Sequence, residues 1–220
     1  IAIDNDDLQN FISVLSAEIK KIAPADMLNM GIFKNYVEKR ASSLSQAEVE
    51  TLAVAEAEPQ LNQAVATIAT AKAEAFIQNP ILHQEVFGPY SLIIRCKNVD
   101  EMIRVARHIE GQLTTTLIAT DDEISENEEL VEAVKNICGR LILNGVPTRV
   151  EVCLSMHHGG PFPATTDARF TSVGADGIKR FARPICYQNW SNDLLPDELK
   201  NENPLGIWRT VDGELTKEPL

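Results

Sequence analysis

The residues best suited to chemistry in this 220-residue chain form one short run, Glu85-Val86-Phe87-Gly88-Pro89. A carboxylate offers two acceptor oxygens, which suit the adjacent hydroxyls of a sugar diol. An aromatic side chain two residues on can lie against a flat ring. The same run also reads as a plain turn, because Gly88-Pro89 is a strong breaker pair and Phe87 would then simply pack on the sheet. A second group, Cys153 with His157 and His158, invites a Cys–His hydrolase or metal reading. Adjacent histidines point apart on most backbones, and no third ligand has fitting spacing, so no metal and no catalytic residue is assigned. Asp193, Asp197 and Glu198 read as a solvated, helix-starting acidic cluster.

Elements must position these groups, and composition bounds what the elements can build. With 44% hydrophobic and 24% charged residues the chain has the make-up of an ordinary globular domain. A net charge of −12 and a pI near 4.8 argue against nucleic acid or an anionic membrane as partner, since both require a basic face. No apolar run approaches the roughly 20 residues of a bilayer span, and no signal-peptide pattern opens the chain. The first residue is Ile1 rather than Met, so an upstream segment is expected. Cys96, Cys138, Cys153 and Cys186 stand singly, with no C-x-x-C, and read as reduced thiols of a cytoplasmic protein.

Apolar spacing predicts a helix from Asp6-Asp7 to Lys20-Lys21 and a second from Met30 to about Leu44. Thr51 to Glu56 and Gln63 to Thr70 read as two short strands or an antiparallel ribbon. From Ser91 the pattern is strand, helix (Val99 to Glu110), strand (Leu113 to Thr120), helix (Ser125 to Cys138), strand (Arg140 to Asn144). Ser125 with Glu128 is expected to form a capping box. Short connections between alternating elements predict an α/β fold, a parallel βαβαβ sheet with helices on both faces. A Gly- and Pro-rich loop follows from Val146 to Arg169, then a short helix (Thr171 to Phe181) and a short strand (Pro184 to Gln188). Asp212-Gly213 is a hairpin signal.

Glu85-Val86-Phe87-Gly88-Pro89, preceded by Asn79-Pro80-Ile81-Leu82-His83-Gln84, resembles the E-x-F-G-P motif of NAD(P)-dependent aldehyde dehydrogenases. The segments 100–120, 139–145 and 158–189 resemble that family's catalytic-domain strands, the loop over its aldehyde pocket and its terminal oligomer strand. The chain is most similar to the C-terminal part of the subgroup acting on 2,5-dioxovalerate (α-ketoglutarate semialdehyde) and fatty aldehydes. The resemblance implies a catalytic-domain portion at 1–189, an irregular C-terminal extension at 190–220, and homo-oligomers of the full-length protein. It implies that Glu85 bonds the nicotinamide ribose of NAD or NADP and that Phe87 packs near the nicotinamide. It also implies that the loop from Asn144 to Thr166 borders the aldehyde pocket, with Phe162 as a candidate lining residue. Arg149 and Arg169 in the pocket-side segment are candidates to meet a carboxylated aldehyde.

In that family a cysteine thiolate of a G-Q-x-C motif attacks the aldehyde, hydride passes to the nicotinamide, and water releases the acid. Here the sole Gly-Gln, Gly111-Gln112, is followed by Leu113-Thr114, and no Gly-rich phosphate loop is present. None of the four cysteines inherits the nucleophile's role. Two functions follow as expectations. The chain is either part of an aldehyde dehydrogenase, inactive by itself, or a non-catalytic oligomerisation or binding module derived from that domain.

Overall fold

The structure, a computed structural model, describes residues 1–148 and 150–220. These fall into two compact units, residues 1–180 and 181–220.

The first unit opens with a two-residue strand, β1 (Ala2–Ile3), and the helix α1 (Asp6–Lys20). Asn5 starts α1 by accepting the Leu8 N–H at 2.9 Å, and Asp6 and Asp7 sit at the positive end of the helix dipole. β2 (Ala25–Asp26) precedes α2 (Met30–Leu44), whose cap is Asn29, accepting from Ile32 N–H at 3.0 Å. Both helices span nearly the residues that apolar spacing predicts. β3 (Glu50–Val54), β4 (Gln63–Ala64) and β5 (Thr67–Lys72) follow, and α3 (Ala73–Gln78) continues directly from β5. The anticipated ribbon is β3 antiparallel to β5, whereas β4 leaves it to pair with β2.

Then come β6 (Tyr90–Cys96), α4 (Val99–Ala106), β7 (Gln112–Leu117), α5 (Asp121–Glu126), α6 (Glu128–Lys135) and β8 (Cys138–Leu143). The fold is α/β, and β5–β6, β1–β6 and β7–β8 are parallel pairs. Its sheets are mixed and divided. One has the order β1-β6-β5-β3, with β3 antiparallel, and β7 and β8 form a separate parallel pair. The expected single βαβαβ sheet thus breaks between β6 and β7. β6 has β5 along one edge and β1 at the end of the other, and β7 pairs with β8.

α4 packs against both cores. Val105 joins Phe76, Ile94 and Cys96 over the larger sheet, while Ile103 and Ala106 meet Ala133 and Val134 of α6. Val105 is wholly buried, and a buried Val side chain contributes roughly 1.5–3 kcal/mol.

The capping box lies earlier than Ser125 and Glu128. Thr120 Oγ1 accepts the Glu123 N–H at 3.2 Å while Glu123 accepts the Thr120 N–H at 2.8 Å. Ser125 is inside α5, its hydroxyl donating back to Asp121 O at 2.9 Å, and Asn127 separates α5 from α6. The carboxyl ends of β7 and β8 are tied by Asn144, whose amide accepts from Ala119 N–H at 3.0 Å and donates to Ala119 O at 2.7 Å. The chain then returns to the amino ends of the same strands. Cβ atoms built at Gly111 and Gly139 would lie 2.1 Å from Pro161 O and 2.0 Å from Gly159 O.

The second unit is small and held by polar contacts. Asn203, 6% exposed, donates to Ile207 O and Lys217 O and accepts the Ile207 N–H. The hairpin β9 (Arg209–Val211) and β10 (Glu214–Thr216) turns at Asp212-Gly213, with φ 51° and 90°, as the sequence suggests. Pro184–Gln188 is exposed and, among the described residues, joins no strand.

Candidate functional site

The segment ahead of β6 lines a cleft of about 440 Å³, with Ser43, Leu82, Gln84, Glu85, Val86, Phe87, Gly88, Tyr90 and Leu92 around it. Glu85 and Phe87 are both exposed, and both line this cleft. Their placement begins with Asn79, which accepts the Ile81 N–H at 3.1 Å and opens a 3-10 turn over Pro80–His83. Gln84 then takes extended backbone (φ −72°, ψ 136°), and the chain runs on to enter β6 at Tyr90.

Beneath this segment lies Tyr36 of α2, 1% exposed. A Cβ at Gly88 would sit 2.4 Å from Tyr36 Cδ2, so only glycine permits this approach. Tyr36 Oη donates to Val65 O at 2.6 Å and lies 3.3 Å from Pro89 O, which also accepts the Thr67 N–H at 2.9 Å. Ser43 and Tyr90 hydroxyls are 2.8 Å apart. Burial raises the phenols of Tyr36 and Tyr90, so both stay protonated and able to donate at neutral pH. Tyr36 and Ser43 were not singled out from sequence. The available signal was their placement seven residues apart on the predicted second helix.

An exposed carboxylate and an exposed aromatic separated by one residue, on one wall of an open cleft, fit a ribose diol with a flat ring beside it. Phe162 is placed elsewhere. It is 79% exposed and absent from the walls of the Glu85 cleft. Arg169 borders a separate cleft of about 280 Å³ with Met156, His157 and Asp176. Its guanidinium is held by Asp167, at 2.9 Å from Nε and 2.6 Å from Nη2, so its charge is already matched. Arg149 lies outside the described residues. Cys153 Sγ contacts Ser155 Oγ at 3.2 Å rather than an imidazole, and that contact lowers its thiol pKa. Among the described residues no group of three or more His, Cys, Asp or Glu is arranged to hold a metal.

Solved structures share this fold at low identity. Succinic semialdehyde dehydrogenase from Streptococcus pyogenes, solved with NADP+, superposes with a TM-score of 0.56 at 19% identity over 71% of this chain and 34% of that one. Proline utilization A from Bdellovibrio bacteriovorus gives 0.66 at 18% identity, over 83% of this chain and 19% of that one. No family model matches the sequence. Sequence comparison is more direct, and nearly the whole chain is similar to part of two alpha-ketoglutaric semialdehyde dehydrogenases. It is 42% identical over 214 residues, 97% of its length, to alpha-ketoglutaric semialdehyde dehydrogenase 2 of Azospirillum brasilense. The chain spans 41% of that relative's length. No helix of the described residues is long and apolar enough to cross a membrane.

Proposed function

We propose that this chain is the nicotinamide-facing portion of an NAD(P)-dependent aldehyde dehydrogenase that oxidises a semialdehyde or aliphatic aldehyde to its carboxylic acid. The observation that carries the reading is the joint exposure of Glu85 and Phe87 on one cleft wall, in a chain 42% identical to a semialdehyde dehydrogenase. Bound there, NAD or NADP would supply the hydride acceptor. Glu85 would accept hydrogen bonds from the nicotinamide ribose hydroxyls, and Phe87 would pack near the nicotinamide and exclude water from it. The attacking thiolate and the general base belong to the part of the parent protein that this chain does not span. Phe162 is proposed to contact the aldehyde. Residues 1–189 would form the catalytic-domain portion and residues 190–220 the extension.

The decisive test uses the full-length protein that carries this sequence. It should reduce NAD or NADP with α-ketoglutarate semialdehyde, and Glu85→Gln should cut turnover and cofactor affinity about tenfold, the difference between a charge-assisted and a neutral hydrogen-bond pair. Unchanged values in the variant would remove Glu85 from the site. The 220-residue chain alone is expected to turn over no aldehyde.

We also propose that the full-length protein is a cytoplasmic homo-oligomer. Its thiols form no disulfide among the described residues, and the exposed run Pro184–Gln188 carries Ile185 and Tyr187 two residues apart, the spacing that an added strand would use. A monomeric mass by light scattering would contradict the oligomer. The same segment supports the second reading, a binding module without chemistry. Dimerisation without any enhancement of NADH fluorescence in the full-length protein would favour it.

A further inference from the structure

We propose that one face of α2, formed by Tyr36, Lys39 and Ser43, is the positioning element for Glu85 and Phe87, with Tyr36 its principal positioning residue. The inference rests on the reading of Glu85 as the ribose-facing group.

Residues three and seven apart share one face of a helix, and here that face grips the segment at three successive points. Lys39 Nζ donates to Gln84 Oε1 at 2.6 Å. The Tyr36 ring fills the place where any Cβ on Gly88 would fall, 2.4 Å from Cδ2. Ser43 Oγ and Tyr90 Oη meet at 2.8 Å. The gripped positions, 84, 88 and 90, lie on either side of Glu85 and Phe87. These contacts hold the segment against α2 while Glu85 and Phe87 stay exposed at the cleft. Tyr36 also fixes the depth of the segment, because its hydroxyl engages Val65 O and Pro89 O, on the turn into β5 and the turn into β6. β5 and β6 run parallel from there, with Thr67 opposite Tyr90. The segment is thereby referred to the sheet as well as to the helix. Tyr36 and Ser43 are buried and their hydroxyls are bonded, so neither side chain has an alternative partner in water.

A residue that merely stabilises the fold would not act through Glu85, and a double-mutant cycle separates the two roles. In the full-length protein, Tyr36→Phe removes the hydroxyl and keeps the ring. It is expected to weaken NADH binding, followed by fluorescence titration, about fivefold, the equivalent of one neutral hydrogen bond. KM for the cofactor should rise by a similar factor while KM for the aldehyde stays unchanged. Amide exchange of residues 84–88 should quicken. In a Glu85→Gln background, Tyr36→Phe should add almost nothing to the loss of NADH affinity, because the group it positions is already disabled. Ser43→Ala, run through the same cycle, decides the question if Tyr36→Phe does not fold. Additive losses, or a silent Tyr36→Phe beside a strong Glu85→Gln effect, would overturn the positioning role alone. A silent Glu85→Gln would overturn the reading of the site and this inference with it.

Discussion

Gly139→Ala tests how the return of the chain after β8 is held. The added Cβ would lie 2.0 Å from Gly159 O, 2.5 Å from Gly159 C and 2.9 Å from Gly160 Cα, all backbone atoms that cannot rotate away. Reaching a 3.4 Å contact requires a shift of 3.4 − 2.0 = 1.4 Å. The obvious escape, lifting residues 159–160 off β8, also changes the seat of Gly160 beside Gln112 at the start of β7, where a Cβ would be 2.3 Å from Gln112 O. Overpacking of this kind costs about 1–3 kcal/mol. For a chain of this length each kcal/mol lowers Tm by roughly 2–4 °C, so a drop of ~4–8 °C is expected for a 2 kcal/mol cost. The assay is thermal unfolding by circular dichroism, with Gly177→Ala as control, because its Cβ would meet nothing closer than 3.8 Å. A Gly139→Ala protein that melts with the wild type and with Gly177→Ala would refute the packing described for the amino ends of β7 and β8.

Two further outcomes concern titration and reactivity. Hydrogen bonds from the Arg169 side chain and backbone, and its charge, hold the Asp167 carboxyl down at about 2, against an ordinary 3.8. Because the folded value is depressed, this contribution to stability is complete above the ordinary carboxylate pKa and disappears as pH falls through about 2. Carbon-detected NMR titration should find that midpoint, and Arg169→Gln should return it to the ordinary range; an unmoved midpoint would contradict the pairing. Among the thiols, iodoacetamide should modify exposed Cys153 first at neutral pH, since the Ser155 contact lowers its pKa. Cys96 should react only after unfolding, because burial pushes its thiol up to about 11. Mass mapping that found Cys96 labelled in the native protein would contradict its burial.

Much of the fold was legible because local signals and tertiary demand agree. α1 and α2 combine apolar periodicity with an asparagine cap, and the Asp212-Gly213 turn needs only its own backbone preference. Misplaced elements were those decided at a distance. No local signal marks the split between β6 and β7, nor the pairing of β1 with Arg95 and Cys96 from the far end of the chain. α3 was not anticipated, because Ala73-Glu74-Ala75-Phe76 follows an alanine-rich strand with no breaker between them. Thr120 outcompetes Ser125 as cap because its residue at the third following position, Glu123, reaches back, a choice that several acidic residues nearby obscure. At the candidate site Glu85 and Phe87 were visible through the motif, whereas Tyr36 and Ser43 required three-dimensional placement. Helix periodicity indicates which residues share a face but not what that face touches.

The Asn144 bridge has a chemical consequence beyond holding strand ends. Asn144 is followed by Gly145, and glycine's lack of a Cβ leaves its backbone nitrogen unhindered for attack on the preceding side-chain amide. That attack expels ammonia, and hydrolysis of the cyclic imide leaves aspartate or isoaspartate. The donor that now faces Ala119 O at 2.7 Å would become an oxygen with no hydrogen to give, and an attraction would turn into a repulsion between acceptors. While bonded to Ala119, the amide is kept from the rotations that bring it to the Gly145 nitrogen. Ageing at this position should therefore quicken sharply once the bridge opens, which peptide mapping of stored native and urea-treated protein would show as different rates of deamidation. The link between β7 and β8 thus carries its own shelf life.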